Sequence, residues 1–231
     1  FVPLTAYLLC RTQTDRKTAF LATFFLITIP IGKGWGPAKQ QVAMFFFAML
    51  VLVIFEKRFG ATKRSVLFIM LGAALVLSHY AIAYMFLYII LFVWFASRIL
   101  KGKALISLNY VAIFSIICFS WYIFVTKSAT FNNFLDVINV VSSKATTDFW
   151  NMESRGTAAQ GIGMLQPYTI LNRVSSVFFY ISEGLILVGF IKMIFRRKET
   201  RFSLLYVMFA FANMSIILFN ILIPGLADTF L

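Results

Sequence analysis

Positive charge recurs along this chain at every second break in its apolar sequence. One set of breaks holds Arg11, Arg16 and Lys17, then Lys57, Arg58, Lys63 and Arg64, then Arg98, Lys101 and Lys103, and last Lys192, Arg196, Arg197, Lys198 and Arg201. Most of the 21 basic residues lie there; the alternate breaks keep Lys33, Lys39, Lys127, Lys144, Arg155 and Arg173. A polytopic membrane protein with the first set in the cytoplasm produces this alternation. The residues at 11–17, 57–64, 98–104 and 196–201 are therefore expected on the cytoplasmic side of a cell membrane, and 127–169 outside it.

Composition agrees with that class. The chain is 61% hydrophobic and 13% charged, with 28 Phe among 231 residues. A soluble domain of this size does not bury so much apolar surface, whereas a bilayer solvates it. A net charge of +13 would point to nucleic acid in a soluble chain. Here the cations flank apolar runs and form no stripe, so a nucleic-acid partner is excluded and the bilayer is the expected one, with anionic lipid on the cytoplasmic face as a further contributor. Cys10 and Cys118 fall inside apolar runs without a ligand-like neighbour, so no disulfide or protein metal site is expected.

The expected fold is all-α, a bundle of about eight segments near 1–10, 18–31, 40–56, 65–78, 80–97, 105–126, 170–195 and 202–223, with an outer amphipathic helix near 131–143. The chain reads as one transmembrane domain, 1–231, and as an internal piece of a larger protein. A full span takes about 20 residues. Segments 18–31 and 65–78 reach only about 14, or about 21 Å as helix. Both end at outer connections, so an outer vestibule recessed below the lipid surface is expected, with these turns on its floor or wall.

Several residues are candidates for chemistry. His79, the single histidine, sits in Leu77-Ser78-His79-Tyr80 between two apolar helices. It can bind a phosphate oxygen or move a proton; the plain alternative is a capping or interhelical hydrogen bond with Ser78 and Tyr80. Glu183 lies well inside the seventh segment, where a carboxylate must be protonated, paired or wet. It reads as a general base or a partner for a cation, or else as a neutral carboxyl bonded across helices. Gly32-Lys33-Gly34-Trp35-Gly36-Pro37-Ala38-Lys39 has three alternate glycines that free backbone N–H groups for an anion, beside two lysines and a following helix N-terminus. Trp35 fits a stacked sugar or a headgroup anchor. Arg173, at the outer mouth of the seventh segment, is a phosphate-contact candidate.

The turn Ser78-His79-Tyr80 after an apolar helix, followed by Ala83-Tyr84 and another span, resembles the archaeal polytopic membrane protein family DUF2206. The late string Ile223-Pro224-Gly225-Leu226-Ala227-Asp228-Thr229 is similar to the segment that precedes that family's C-terminal spans. Such proteins look similar to the GT-C membrane glycosyltransferases. The resemblance implies sugar transfer from a polyprenyl-phosphate carrier on the outer face, by inverting displacement. In GT-C enzymes an acidic residue of the first outer loop activates the acceptor or holds a metal; that loop would precede Phe1. The resemblance therefore names no catalytic base here. It carries over only His79 and the Lys33–Lys39 loop as phosphate-side groups; with Trp35, Tyr80 and Arg173 from the reading of the residues these make the substrate-side candidates, and a divalent cation is a candidate cofactor. Two other classes fit the same sequence: a transporter or flippase for a lipid-linked saccharide, and a non-catalytic membrane assembly subunit.

The vestibule is testable directly. A His79→Cys variant, with Cys10 and Cys118 replaced, is expected to react from the outside with a membrane-impermeant thiol reagent; complete protection in intact cells would remove the vestibule.

Overall fold

In a computed structural model, residues 2–28, 38–56, 58–102, 105–125, 132, 135–136, 138–139, 170–195 and 202–222 are described; at 101, 170–180, 183 and 217–222 this covers the backbone alone. Among the described residues the chain is helical and contains no strand. The helices are α1 (Val2–Arg11), α2 (Arg16–Thr28), α3 (Ala38–Phe55), α4 (Ala61–Ser78), α5 (Tyr80–Lys101), α6 (Leu108–Ser120), α7 (Ile170–Phe195) and α8 (Leu204–Leu222). A π turn, Trp121–Val125, continues α6. Four stretches are long and apolar enough to cross a membrane: Ala38–Phe55, Ala61–Ser78, Tyr80–Leu100 and Leu108–Val125. Together they make an all-α membrane bundle.

One expectation is corrected. The segment read as 65–78 begins at Ala61 and reaches 18 residues, about 27 Å, so it is not a short helix. The first turn carries Lys63 and Arg64, where an apolar count stops but a helix does not. Long cationic side chains reach past the apolar boundary to water. Helix α2 is described over 13 residues, and 29–37 beyond it lie outside the described residues. The recess expected above both helices therefore loses its basis at α4. Most of the amphipathic stretch near 131–143, and the string 223–229, lie outside the described residues. Of the former, Asn132, Leu135, Asp136, Ile138 and Asn139 are described and helical, with Leu135 and Ile138 exposed.

The chain divides into two compact units, Phe1–Trp121 with Ile191–Phe209, and Tyr122–Phe190 with Ala210–Leu231. In the second, Phe190 stacks on Phe211 with centroids 6.0 Å apart. In the first, α3 packs chiefly on α4, α1 on both α2 and α3, and α6 on α4 and α5. Its centre is aromatic. Phe86 of α5 meets Phe114 of α6 edge-on at 4.9 Å and Phe47 of α3 at 5.7 Å. Phe68 of α4 lies 4.7 Å from the Tyr110 ring and 6.4 Å from Phe114. Phe68, Phe86 and Phe114 are all fully buried. Edge-to-face pairs at these distances suit ring quadrupoles.

Gly72 of α4 makes room for that cluster. A Cβ there would stand 3.2 Å from Phe114 Cδ2. Between apolar helices in lipid, close packing supplies the attraction that the hydrophobic effect no longer gives, and small residues permit it. Outside the cluster the helices expose large apolar side chains, among them Met70, Phe95, Ile116 and Phe124, the surface a bilayer covers.

Connections are set by local chemistry. Helix α5 stops at Gly102, whose φ of 65° is left-handed and suits glycine. Ser97 Oγ accepts from Leu105 N at 3.0 Å and pins the return, and Ser107 caps α6 by accepting from Asn109 N. Asp15 caps α2 by accepting from Thr18; hydrogen bonds from that residue hold its carboxyl below its ordinary range.

Replacing Gly72 with Leu, or Phe114 with Ala, is expected to destabilise the bundle in detergent by about 1–3 and about 3–5 kcal/mol respectively. Ile116→Ala, on the lipid-facing surface of α6, is expected to leave the thermal midpoint nearly unchanged. Equal midpoints for all three variants would show that the aromatic cluster is not the packing centre.

Candidate functional site

Helices α4 and α5 are joined by one non-helical residue, His79, with extended backbone at φ −160° and ψ 119°. The residue belongs to both helices. Its N–H donates to Leu75 O at 3.2 Å, and its carbonyl accepts from Ala83 N at 3.1 Å. Ser78 does not serve the imidazole, since its hydroxyl donates to Ala74 O at 2.6 Å. The imidazole stacks on the Tyr80 ring, with centroids 5.3 Å apart and planes 8° apart. The capping expected from sequence is thus made by the His79 backbone and not by its ring.

The ring is half-buried, and its Nδ1 is buried without a hydrogen-bond partner among the described residues. Buried polar atoms of this kind are uncommon and call for an explanation. Burial lowers the His79 pKa below its ordinary value, and the Lys39 charge lowers it further. Both causes favour the neutral ring.

Lys39 comes from elsewhere in the chain. Helix α3 starts at Ala38, and α3 packs antiparallel on α4, so the start of α3 meets the end of α4. The helix N-terminus adds a partial positive charge at the same end. Lys39 is exposed, and Tyr80 is 39% exposed, so both are open to a ligand. One turn beyond, Tyr84 is buried in α5.

The structure thus brings together Lys39, His79 and Tyr80. Lys33 and Trp35 lie outside the described residues. Arg173 falls in the first turn of α7 and Glu183 in its middle, and the side chains of both lie outside the described set. Among the described residues no group of three or more His, Cys, Asp or Glu side chains could hold a metal ion.

Sequence reasoning missed a second constellation. At the opposite end of the first unit, Arg11, Arg58 and Arg64 line one cavity with Glu56, Gln13 and Ser203. From the sequence these cations read as a topology signal with anionic lipid as a contributor, and nothing in it brings the three into one cavity. The clue in the sequence was the use of Arg, a planar fork of donors, where Lys would have carried the same charge.

Fold and composition together define a polytopic helical membrane protein. The chain belongs to the family described as Predicted membrane protein (DUF2206), which matches residues 64–230 and so includes the His79 turn. No curated protein and no solved structure shows a significant match.

Because His79 is the chain's one histidine, its titration can be followed as a single imidazole signal. In a nitrogen-15 histidine NMR titration the midpoint is expected below about 6.5. Lys39→Gln removes a repulsive positive charge and is expected to raise that midpoint while leaving it below the ordinary value, because burial is the larger cause. A midpoint unmoved by Lys39→Gln would separate the two residues.

Proposed function

We propose that this chain is the core of a GT-C-like membrane glycosyltransferase that takes a sugar from a polyprenyl-phosphate carrier at the His79 end of the bundle. The observation that carries this reading is the meeting of Lys39 with a half-buried, neutral His79 whose Nδ1 is unpartnered, at the junction of two apolar helices. Such a junction lies where a lipid carrier presents its phosphate: the tail stays among apolar helix faces while the headgroup meets polar side chains.

The chemistry follows from charge development. In an inverting displacement the acceptor hydroxyl attacks the anomeric carbon as the bond from that carbon to the carrier phosphate breaks. The bonding pair leaves with the phosphate oxygen, and negative charge grows there. A lysine ammonium and a helix N-terminus placed beforehand stabilise that charge without reorganisation. A neutral imidazole can donate one N–H to a phosphate oxygen while its other nitrogen accepts. Tyr80, stacked on that ring, limits its rotation. Lys33 and Trp35 are proposed as further substrate contacts; Arg173 and Glu183 remain candidates within the second unit. No step is assigned to a metal.

A carrier would use paired broken helices in two related halves. That reading drew on two short helices, and α4 is now of full length.

The test is transfer of a labelled sugar from a polyprenyl-phosphate donor in membranes containing the full-length protein. Lys39→Gln and His79→Ala are each expected to lower the transfer rate about a hundredfold, the scale of losing one preorganised charge-stabilising donor. Wild-type rates in both variants, at equal protein level, would overturn the reading in favour of a non-catalytic subunit.

A further inference from the structure

The cavity at the arginine-rich end is independent of the His79 end and measures about 790 Å³, within the range of small-molecule sites. Three arginines line it from different elements. Arg11 ends α1, Arg58 lies in the connection between α3 and α4, and Arg64 is in the first turn of α4. Glu56 is the one acid among the described lining residues. It does little to neutralise them: its Oε1 stands 3.8 Å from Arg58 Nε, and the Arg58 side chain is 91% exposed. The same carboxylate oxygen accepts from Arg58 N at 3.0 Å. The cavity therefore keeps an excess of positive charge.

Its donors are only partly used. Arg64 Nη2 donates to Glu56 O at 2.7 Å and to Phe59 O at 3.4 Å, which ties the end of α3 to the start of α4. Arg64 Nε is buried with no hydrogen-bond partner among the described residues. Arg11 Nη1 reaches Thr14 O only at 3.5 Å. Gln13 Oε1 accepts from Ser203 N at 3.0 Å, which fixes the amide on the cavity wall and leaves its Nε2 on Thr12 Oγ1. An unpaired buried guanidinium N–H beside two lightly engaged arginines is an arrangement that an anion with several acceptor oxygens completes.

The walls indicate where that anion resides. Leu8, Leu52 and Leu205 line the same cavity, and Leu8 is 44% exposed on a helix that also exposes Leu4. Basic pockets between membrane helices, apolar on one side, suit lipid headgroups. We propose that this cavity binds the phosphate of an anionic phospholipid headgroup, with Arg11, Arg58 and Arg64 as its donors and the acyl chains lying along α1.

The test uses the full-length protein purified in a neutral detergent, with dioctanoyl phosphatidic acid, dioctanoyl phosphatidylcholine and inorganic pyrophosphate as probes, read by titration calorimetry. Phosphatidic acid is expected to bind in preference to phosphatidylcholine. Arg11→Gln and Arg58→Gln are each expected to weaken it about fivefold. Arg58 is chosen because so exposed a side chain carries little of the fold. Arg98→Gln removes the same charge from an exposed position outside the cavity and is expected to change nothing. Displacement of the lipid by equimolar pyrophosphate would assign the phosphate site to a soluble ligand, and resistance to it would assign the site to a lipid. Absence of binding by either probe, or equal weakening by Arg98→Gln, would overturn the site.

Discussion

The first unit depends on contact between aromatic side chains from four helices. In lipid, burying a phenylalanine gains little from water, because the alternative environment is also hydrocarbon. What favours one arrangement is complementarity: Phe47, Phe68, Phe86 and Phe114 meet at defined angles, and Gly72 lets α4 approach Phe114 closely. The cluster fixes α3, α4, α5 and α6 against each other. It thereby fixes both ends of the bundle, since Lys39 begins α3 and His79 ends α4. The polar ends are positioned by an aromatic centre.

Much of this was legible in the sequence, for reasons that can be named. Alternation of charge along the chain is one-dimensional information about which helix ends share a side. It correctly gathers Arg11, Arg58 and Arg64 in one place, and it leaves His79 and Lys39 in the other. The start of α4 was not legible, because Lys63 and Arg64 ended the apolar count while the backbone was already helical. Arg64 is there to serve the end of α3, a role invisible without knowing that the two helix ends touch. The π turn at Trp121–Val125 had no signal either, since its residues are as apolar as those of the helix it continues.

The sites divide in the same way. His79 stood out as an ionisable residue between apolar helices, and that kind of oddity survives in one dimension. Its partnership with Lys39 follows from two antiparallel passes of the chain. The arginine cavity needed residues 11, 58, 64 and 203 to converge, and cations that far apart look only like repeated topology marks. A belt of surface charge and a pocket of charge have the same sequence; the difference lies in which donors are left unpaired.

The single-residue connection at His79 has a consequence for how the chain enters a bilayer. Helices α4 and α5 share that residue's backbone hydrogen bonds, so there is no loop between them to be moved across separately. The tip of the hairpin carries Ser78, whose hydroxyl is already satisfied within α4, and an imidazole held neutral by its surroundings once folded. Such a tip asks the membrane to pass very little polar surface and no fixed charge. The arginine and lysine residues of the pair, Lys63, Arg64, Arg98 and Lys101, all lie at the opposite end, so the hairpin is polar at its base and nearly free of charge at its tip.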